Sequence, residues 1–300
     1  MVHHDFCPFC SSSLLKEKFI STDNFVSKET FPIVRCEVCG FTFTQDHPSE
    51  KESGRYYESE NYISHSNTSK GIINRLYFVA RSYMLRRKAS HVTNSTGLRK
   101  GKLLDIGSGT GYFPAQMKKA GWEAEGIEIN QKAREFSKKE FNLKVSEPSE
   151  IGSLETGSYD CITLWHVLEH FHNPGEYMKE ISRLLKPDGR CIIALPNSSS
   201  YDASHYKEYW AAWDVPRHLW HFTPSTVNSF LAQSGFEMLS IKSLPLDVFY
   251  ISLLSEKYKQ SGASFIKGIL KGTVFFFKSA FFRKKSSSLV YILRKAGEAL

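Results

Sequence analysis

The sequence lacks any uncharged apolar run of about 18 residues, the length that an ordinary membrane-spanning helix needs. Its first residues, MVHHDFCPFC, lack the basic start and apolar core of a secretory signal. We therefore expect no spanning segment and a cytoplasmic location. With 41% apolar and 23% charged residues among 300, the composition is that of a globular chain with one large domain or one domain with attachments.

The chain also lacks a general excess of basic residues. Its net charge of +8 is accounted for by residues 255–300, which contain ten Lys or Arg and two acidic residues. The first 254 residues therefore carry no net charge. This distribution argues against a nucleic-acid-binding protein that is basic throughout and indicates one local basic surface instead.

Cysteine is scarce, and four of the six cysteines form two CxxC pairs near the N-terminus. Without a secretion signal, such pairs favour zinc over disulfides. Four thiolates fill the tetrahedral coordination of a structural Zn²⁺ ion. We therefore expect a zinc-ribbon-like module over residues 1–47, with Zn²⁺ bound by Cys7, Cys10, Cys36 and Cys39.

A polar segment over residues 48–69 separates this module from the rest of the chain. We interpret it as a linker. Its tyrosines, Tyr56, Tyr57 and Tyr62, are expected to fold back over a cofactor.

Three glycines at alternate positions follow an apolar strand, KLLDI. They are Gly107, Gly109 and Gly111, and Asp105 stands two residues before the first. A loop that binds pyrophosphate avoids a neighbouring carboxylate, because the two anions repel each other. This GxGxG loop therefore favours a ligand with positive groups. S-adenosylmethionine (SAM), which has an ammonium and a sulfonium, fits that requirement.

Glu128 ends the next apolar strand, 21 residues after Gly107. A carboxylate at this place accepts both hydroxyls of a ribose. Ile129 beside it is expected to pack on the adenine. Because NAD-dependent oxidoreductases share such an acid, an oxidoreductase stays open as an alternative. A non-enzymatic zinc-ribbon protein that binds nucleic acid through its basic tail is a second alternative.

Five motifs resemble, in order, those of class I SAM-dependent methyltransferases of the LWHVLEH-type group. They are DIGSGTGYF, GIEIN, YDCITLWHVLEH, LLKPDGRCIIALPN and WDVPRHLWHFTPSTVNSFLAQSGF. The resemblance covers residues 75–245 and implies a methyltransferase domain over 70–300. The implied fold is a Rossmann-like α/β sandwich with strand order 3-2-1-4-5-7-6 and an antiparallel strand 7. SAM would lie at the carboxyl ends of strands 1 and 2, with Trp165 and His166 lining the methyl-transfer pocket.

An oxygen or carbon acceptor must lose a proton, so histidines after strands 4 and 5 are candidate bases. His166 follows strand 4. Residues 197–222 form a connection far longer than the usual 2–6 residues. Its aromatic rings and histidines predict a lid over a sugar or another polar ring, with His218 or His221 as the base. A packed lid without proton transfer is the alternative.

Two subgroups of the family have features that bear on the acceptor. Quinone-biosynthesis O-methyltransferases have an E-x-x-E-H stretch tied to a divalent metal. This chain matches it at Glu169 and His170 but has His166 in place of the first acid, which argues against a catalytic metal. Some NDP-sugar C-methyltransferases join a four-cysteine zinc module to this domain. They suggest a small or lipid-linked acceptor such as a sugar of a glycan precursor, although this chain lacks their extra C-terminal domain.

The C-terminal region predicts a helical insertion over residues 246–285, followed by a last strand, SSLVYILRK. Lys267, Lys271 and Lys278 fall within about 40° of one another at 100° per residue, and most of the remaining circumference is apolar. The pattern over 265–285 fits a helix lying at the inner membrane surface. A helix packed on the domain, or one that forms a homodimer contact, is the alternative.

Overall fold

The computed structural model describes residues 1–57 and 72–297, with the backbone alone for 72–77. Residues 58–69 of the predicted linker, and Tyr62 with them, lie outside the described residues. A seven-stranded sheet forms the centre of the molecule. Its strands are β4 (Lys102–Ile106), β5 (Glu123–Ile127), β6 (Lys144–Ser146), β7 (Tyr159–Trp165), β8 (Leu185–Pro196), β10 (Phe236–Ser243) and β11 (Ser288–Lys295).

The strands lie in the order β10-β11-β8-β7-β4-β5-β6. Strands β4 to β8 pair in parallel, whereas β11 is antiparallel to both β8 and β10. When these seven strands are numbered along the chain, the order across the sheet is 6-7-5-4-1-2-3. The predicted sheet, including its antiparallel seventh strand, is therefore confirmed.

Helices and apolar side chains cover both faces of this sheet. Because successive side chains of a strand point to opposite faces, Leu104 and Ile162 belong to one buried cluster, and Leu103 and Cys161 belong to another. The helices are α1 (Ile72–Thr96), α2 (Tyr112–Lys119), α3 (Gln131–Phe141), α4 (Pro174–Leu184), α5 (Tyr201–Tyr206), α6 (Pro224–Gln233), α7 (Asp247–Tyr258) and α8 (Ser264–Phe281).

The last two helices fill the segment between β10 and β11 and pack against each other. Glycines allow the close approach, because a Cβ atom at Gly268 would lie 2.8 Å from the Cα of Leu253. A Cβ atom at Gly272 would lie 2.9 Å from the ring of Phe249. Among the described residues, no helix has the length and apolar content needed to cross a membrane.

A second, four-stranded sheet contains the N-terminal residues and one strand from the predicted lid. It consists of β1 (Leu15–Thr22), β2 (Thr30–Cys36), β3 (Thr42–Thr44) and β9 (Trp220–His221), all paired antiparallel. Strand β9 lies within residues 197–222. The sheet of the N-terminal module therefore includes a strand from outside residues 1–47, namely β9 of the lid.

A buried arginine fixes the lid to the N-terminal module. The Arg217 guanidinium donates to both carboxylate oxygens of Asp214, at 3.0 and 2.7 Å. It also donates to Asp23 at 2.9 Å and to the carbonyl oxygen of Tyr56 at 3.0 Å. Asp23 and Arg217 are fully or almost fully buried, so the guanidinium joins three separate segments away from water.

Asp23 is held as a carboxylate by this arrangement. Burial opposes its ionisation, but hydrogen bonds from Arg217 and from the backbone N–H groups of Ser27 and Val26 lower the pKa of Asp23 to about 2. Because the folded-state pKa lies below the unfolded value, this stabilisation is complete above about pH 4. It is lost as the pH falls towards 2.

We predict that Arg217→Ala lowers the free energy of unfolding by about 3–5 kcal/mol, because it leaves buried carboxylates without their partner. Urea denaturation of both proteins at pH 7 measures the difference. The control is Arg294→Ala, which breaks an exposed ion pair with Glu237 and should cost far less, because solvent screens such a pair. Equal losses in the two variants would contradict the role given to Arg217.

Candidate functional site

The glycine loop after β4 is shaped by close contacts on two sides and is open on the third. Gly107 has φ +72°, and a Cβ atom there would lie 2.3 Å from Val167. Gly111 has φ +80°, and a Cβ atom there would lie 2.6 Å from the hydroxyl of Ser137. Gly109, with φ +53°, has no atom of the described residues, its two chain neighbours aside, within 4 Å of the same position. The open side at Gly109 is where a ligand can approach the backbone.

Glu128, at the end of β5, holds this loop. Its Oε2 accepts a hydrogen bond from the Gly109 N–H at 2.7 Å, and its Oε1 accepts one from Asn130 at 2.9 Å. The predicted ribose contact would use the remaining lone pairs of the same carboxylate. Ile129, predicted to pack on the adenine, is 81% exposed beside it.

Asp105 lies at the end of β4 and is buried. The hydroxyl of Thr163 on β7 donates to its Oδ1 at 2.6 Å. Burial raises the pKa of Asp105 to about 7, against the opposing effects of Thr163 and Lys88, and nearby Glu128 raises it further. A carboxyl group in this state gains most from a cationic ligand, because a positive charge favours its ionised form.

Lys88 of α1 lies near Asp105. Its Nζ lies 4.7 Å from the ring centre of Trp165. Burial lowers the pKa of Lys88, while Asp105 and Asp247 act in the opposite direction. This edge of the sheet therefore combines the carboxyl groups of Asp105 and Asp247, an aromatic ring and an amine that loses its proton more easily than an exposed lysine does.

These residues fit the nucleoside and the positive groups of SAM. In addition to the open side of Gly109, two buried polar atoms at this edge of the sheet, Ser108 Oγ and Trp165 Nε1, have no hydrogen-bond partner within the described ranges. A polar ligand would supply the missing partners. The predicted cofactor residues, from the glycine loop to Trp165 and His166, all belong to the carboxyl ends of β4, β5 and β7 or to the loops after them.

His166 follows β7 with φ +61°, an unusual angle for a residue with a side chain. Its Nε2 lies 3.0 Å from Asp247 at the start of α7, and its Nδ1 lies 3.5 Å from Glu169. Burial alone would lower the pKa of His166, but the two carboxylates raise it to about 9. At neutral pH the ring is therefore a cation and a poor proton acceptor.

Glu169, His170 and His218 meet beside His166. One donor atom from each lies within 4.8 Å of the other two. Both oxygens of Glu169 are buried and lack a hydrogen-bond partner within residues 1–57 and 72–297. Such a set is able to pass a proton or to receive a divalent cation.

His218 has one ring nitrogen, Nε2, without a hydrogen-bond partner among the described residues. Its Nδ1 is 2.9 Å from the carbonyl oxygen of Ala212, so Nδ1 carries the proton and Nε2 has the lone pair. Nε2 lies 3.9 Å from Glu169 and 3.9 Å from Asp214. Two carboxylates therefore stand ready to stabilise the ring once Nε2 accepts a proton.

His221, the other lid histidine predicted as a base, lies in the four-stranded sheet. The Thr44 hydroxyl donates to the carbonyl oxygen of His218 at 2.7 Å, so it accepts from Nε2 of His221 at 2.9 Å. Burial and the neighbouring His218 hold the pKa of His221 well below its usual value. The ring packs edge-on against Trp213. These contacts give His221 a positioning role between the lid and the N-terminal module.

Most of the lid aromatics also differ from the sequence interpretation, which placed them over an acceptor. Tyr206, Trp210, Trp213 and Phe222 are at most 2% exposed and belong to apolar cores. These rings pack the lid against the rest of the protein. The polar groups that the lid contributes to the site are those of Asp214 and His218.

Sequence reasoning missed Lys88, Thr163 and Asp247. A signal existed for Thr163, which is a hydroxyl residue inside an otherwise apolar strand and therefore needs a buried partner. Asp247 lies 81 residues from His166, and no local spacing connects them. Lys88 is one of several basic residues on α1 and is not distinguished from the others by its neighbours.

The four N-terminal cysteines come together as predicted. The Sγ atoms of Cys7 and Cys39 are 3.6 Å apart, as are those of Cys10 and Cys36, and all four lie within 4.8 Å of one another. Four sulfur atoms at the corners of a tetrahedron around Zn²⁺ would be about 3.8 Å apart. The geometry is therefore compatible with a tetrathiolate metal site.

Comparisons with known proteins identify methyltransferases as similar to this chain. Ubiquinone biosynthesis O-methyltransferase of Rickettsia akari (strain Hartford) is 26% identical over 201 residues, which cover 62% of this chain and 79% of that protein. Magnesium protoporphyrin IX methyltransferase of Synechocystis PCC 6803, solved with bound SAH, shares 12% identity and a TM-score of 0.53, over 80% of this chain and 97% of that one.

A SAM-dependent methyltransferase of Thermotoga maritima has 17% identity and a TM-score of 0.50, over 74% of this chain and 94% of that one. The structural likenesses show the fold. A methyltransferase-domain family model matches residues 80–241, which is more than half of the chain. The chain therefore belongs to the methyltransferase domain family and has the fold of its SAM-dependent members.

Proposed function

We propose that this protein transfers the methyl group of SAM to a hydroxyl group of a small or lipid-linked acceptor, with His218 as the base. The observation that supports this most directly is the position of His218 Nε2, 3.9 Å from the carboxylates of Glu169 and of Asp214 and without a hydrogen-bond partner in the part of the chain that the structure describes. The relatives named as O-methyltransferases favour an oxygen acceptor. A sugar of a glycan precursor meets the same requirement for a hydroxyl group.

The chain's own residues would divide the work between binding and proton transfer. When bound, SAM supplies a methyl group that is already activated by its sulfonium. Asp105, Glu128 and the open side of Gly109 would hold it at the carboxyl ends of β4 and β5. His166, kept cationic by Asp247 and Glu169, orients Glu169 towards the lid. His218 then accepts the proton of the hydroxyl group, and Glu169 and Asp214 stabilise the imidazolium.

We predict that Asp105 makes the binding of SAM depend on pH. The pKa of Asp105 is about 7 in the free protein, and a bound cation would lower it. Binding should therefore release a proton, and the dissociation constant should rise about tenfold between pH 8 and pH 6. Calorimetry of the wild type and Asp105→Asn at both pH values measures the dissociation constant of SAM. The variant should bind SAM more weakly at pH 8, and its dissociation constant should not change with pH. If the variant keeps the pH dependence, Asp105 is not the group that releases the proton.

We predict that His218→Asn lowers kcat by about 10²- to 10⁴-fold, because the acceptor loses its base. Formation of SAH with catechol and with UDP-glucose as probe acceptors measures the turnover. The loss should shrink as the pH rises, since the hydroxyl group then ionises without help. Binding of SAH should be unchanged.

The matched control is His221→Asn, which changes the neighbouring buried histidine of the same lid. This variant should lower the melting temperature and should change kcat only slightly. If the two variants lose kcat equally, His218 is not the base. If added Mg²⁺ raises kcat in the wild type, the cluster of Glu169, His170 and His218 binds a cation and the proposal of a free base is wrong.

We further propose that the four-cysteine site binds one Zn²⁺ ion with a structural role. The four Sγ atoms lie within 4.8 Å of one another, and the backbone N–H groups of Val38 and Cys39 face Cys36, where they would stabilise a thiolate. Metal analysis should find about one zinc per chain. Cys36→Ser should lose the zinc and lower the melting temperature, whereas Cys191→Ser on β8 should keep it.

The outward face of α8 supports contact with an anionic membrane surface. Phe265 and Ile269 aside, its large exposed apolar residues fall in one arc of about 80° at 100° per residue, directly beside the stripe of Lys267, Lys271 and Lys278. They are Ile266, Leu270, Val274, Phe277 and Phe281, all at least 47% exposed. Co-sedimentation with phosphatidylglycerol vesicles should be lost in Phe277→Ser/Phe281→Ser. A concentration-dependent dimer without vesicle binding would assign the face to a second copy.

A further inference from the structure

A cavity of about 800 Å³ lies where the N-terminal module meets the methyltransferase domain. Four basic side chains line it: Lys18 from β1, Arg35 from β2, and Lys284 and Lys285 from the turn after α8. No acidic residue is among its lining residues. Within the described part of the chain, none of the four has a carboxylate within the 4 Å of an ion pair, and the cavity is therefore strongly positive.

The remaining walls are neutral. Thr42, Ser198, Ser199 and Thr223 line the cavity, and the first turn of α6 enters it at Ser225. The Ser198 hydroxyl donates to the Phe222 carbonyl oxygen at 3.0 Å and the Ser199 hydroxyl donates to Asn197 at 2.8 Å, so the cations and the helix N-terminus are the groups left to bind a ligand. The Thr223 side chain caps this ten-residue helix by accepting from the Thr226 N–H at 3.2 Å. A helix N-terminus carries a partial positive charge, so its effect adds to that of the four side chains.

Two of the cations are held in place, although they have no anionic partner. Lys285 donates to the carbonyl oxygen of Ser199 at 2.9 Å. The Nζ of Lys18 lies 5.4 Å from the ring centre of Trp213. Burial and the neighbouring Arg35 lower the pKa of Lys18, as expected where like charges meet without an anion between them.

We propose that this cavity binds a phosphate ester, with a diphosphate as the best fit to four cations and a helix N-terminus. The first and last residues of the lid, Ser198 and Thr223, both line the cavity. A bound phosphate ester would therefore hold the lid and the N-terminal module together. If the ligand is the acceptor itself, it is a phosphorylated or lipid-phosphate substrate, and that extension rests on the proposed function.

Calorimetry with inorganic pyrophosphate in 0.1 M salt tests the site on the whole zinc-loaded protein. We expect saturable binding that weakens about tenfold or more in Lys284→Ala/Lys285→Ala and in Arg35→Ala, because each removes a charge-assisted contact. The matched control is Lys138→Ala/Lys139→Ala, an exposed lysine pair on α3 away from the cavity. It should bind pyrophosphate as the wild type does.

The proposal is overturned if the control variant loses as much pyrophosphate binding as the cavity variants do. It is also overturned if the wild type binds neither pyrophosphate nor vesicles that contain phosphatidic acid. If the wild type binds only the vesicles, and only the cavity variants lose that binding, the phosphate belongs to a lipid. Binding of SAH by the cavity variants checks their fold and is expected to be unchanged. Pyrophosphate binding does not depend on methyl transfer, so a failure of the proposed function would leave this result intact.

Discussion

The arrangement of the site depends on one buried guanidinium. Arg217 binds Asp214 with two hydrogen bonds, Asp23 with one and the Tyr56 carbonyl with another, so that the lid, the β1–β2 turn and residues before α1 meet at one side chain. A buried charge is stable only when its donors are satisfied, and this one has neighbours from all three segments. The next residue along the chain is His218, whose position is therefore fixed by the same contacts.

Carboxylate groups and imidazole rings alternate in the site. Asp247 and Glu169 flank the cationic ring of His166, and Glu169 also faces His218, which in turn lies near Asp214. His170 stays neutral beside them, because burial and then His218 lower its pKa to about 4. Asp247 begins α7, so the first of the two helices between β10 and β11 contributes a residue to the site.

The features that could be predicted from sequence are those whose residues lie close together along the chain. The glycine loop, Asp105, Glu128 and the CxxC pairs each lie within one turn or one strand end, and the alternation of strands and helices determines the parallel part of the sheet. The Asp23–Arg217 pair spans 194 residues and has no local pattern. The lid aromatics were misread for a different reason, since composition alone does not distinguish rings that line a ligand site from rings that fill a core.

The pairing of β3 with β9 sets an order of events during synthesis. Thr42 and Phe43 pair with His221 and Trp220, residues that a ribosome adds almost 180 positions later. At about 5–20 residues per second, the edge of β3 waits roughly 10–40 s for its partner strand. During that interval the nascent chain exposes an unpaired strand edge, which is open to pairing with another chain until the last part of the lid emerges.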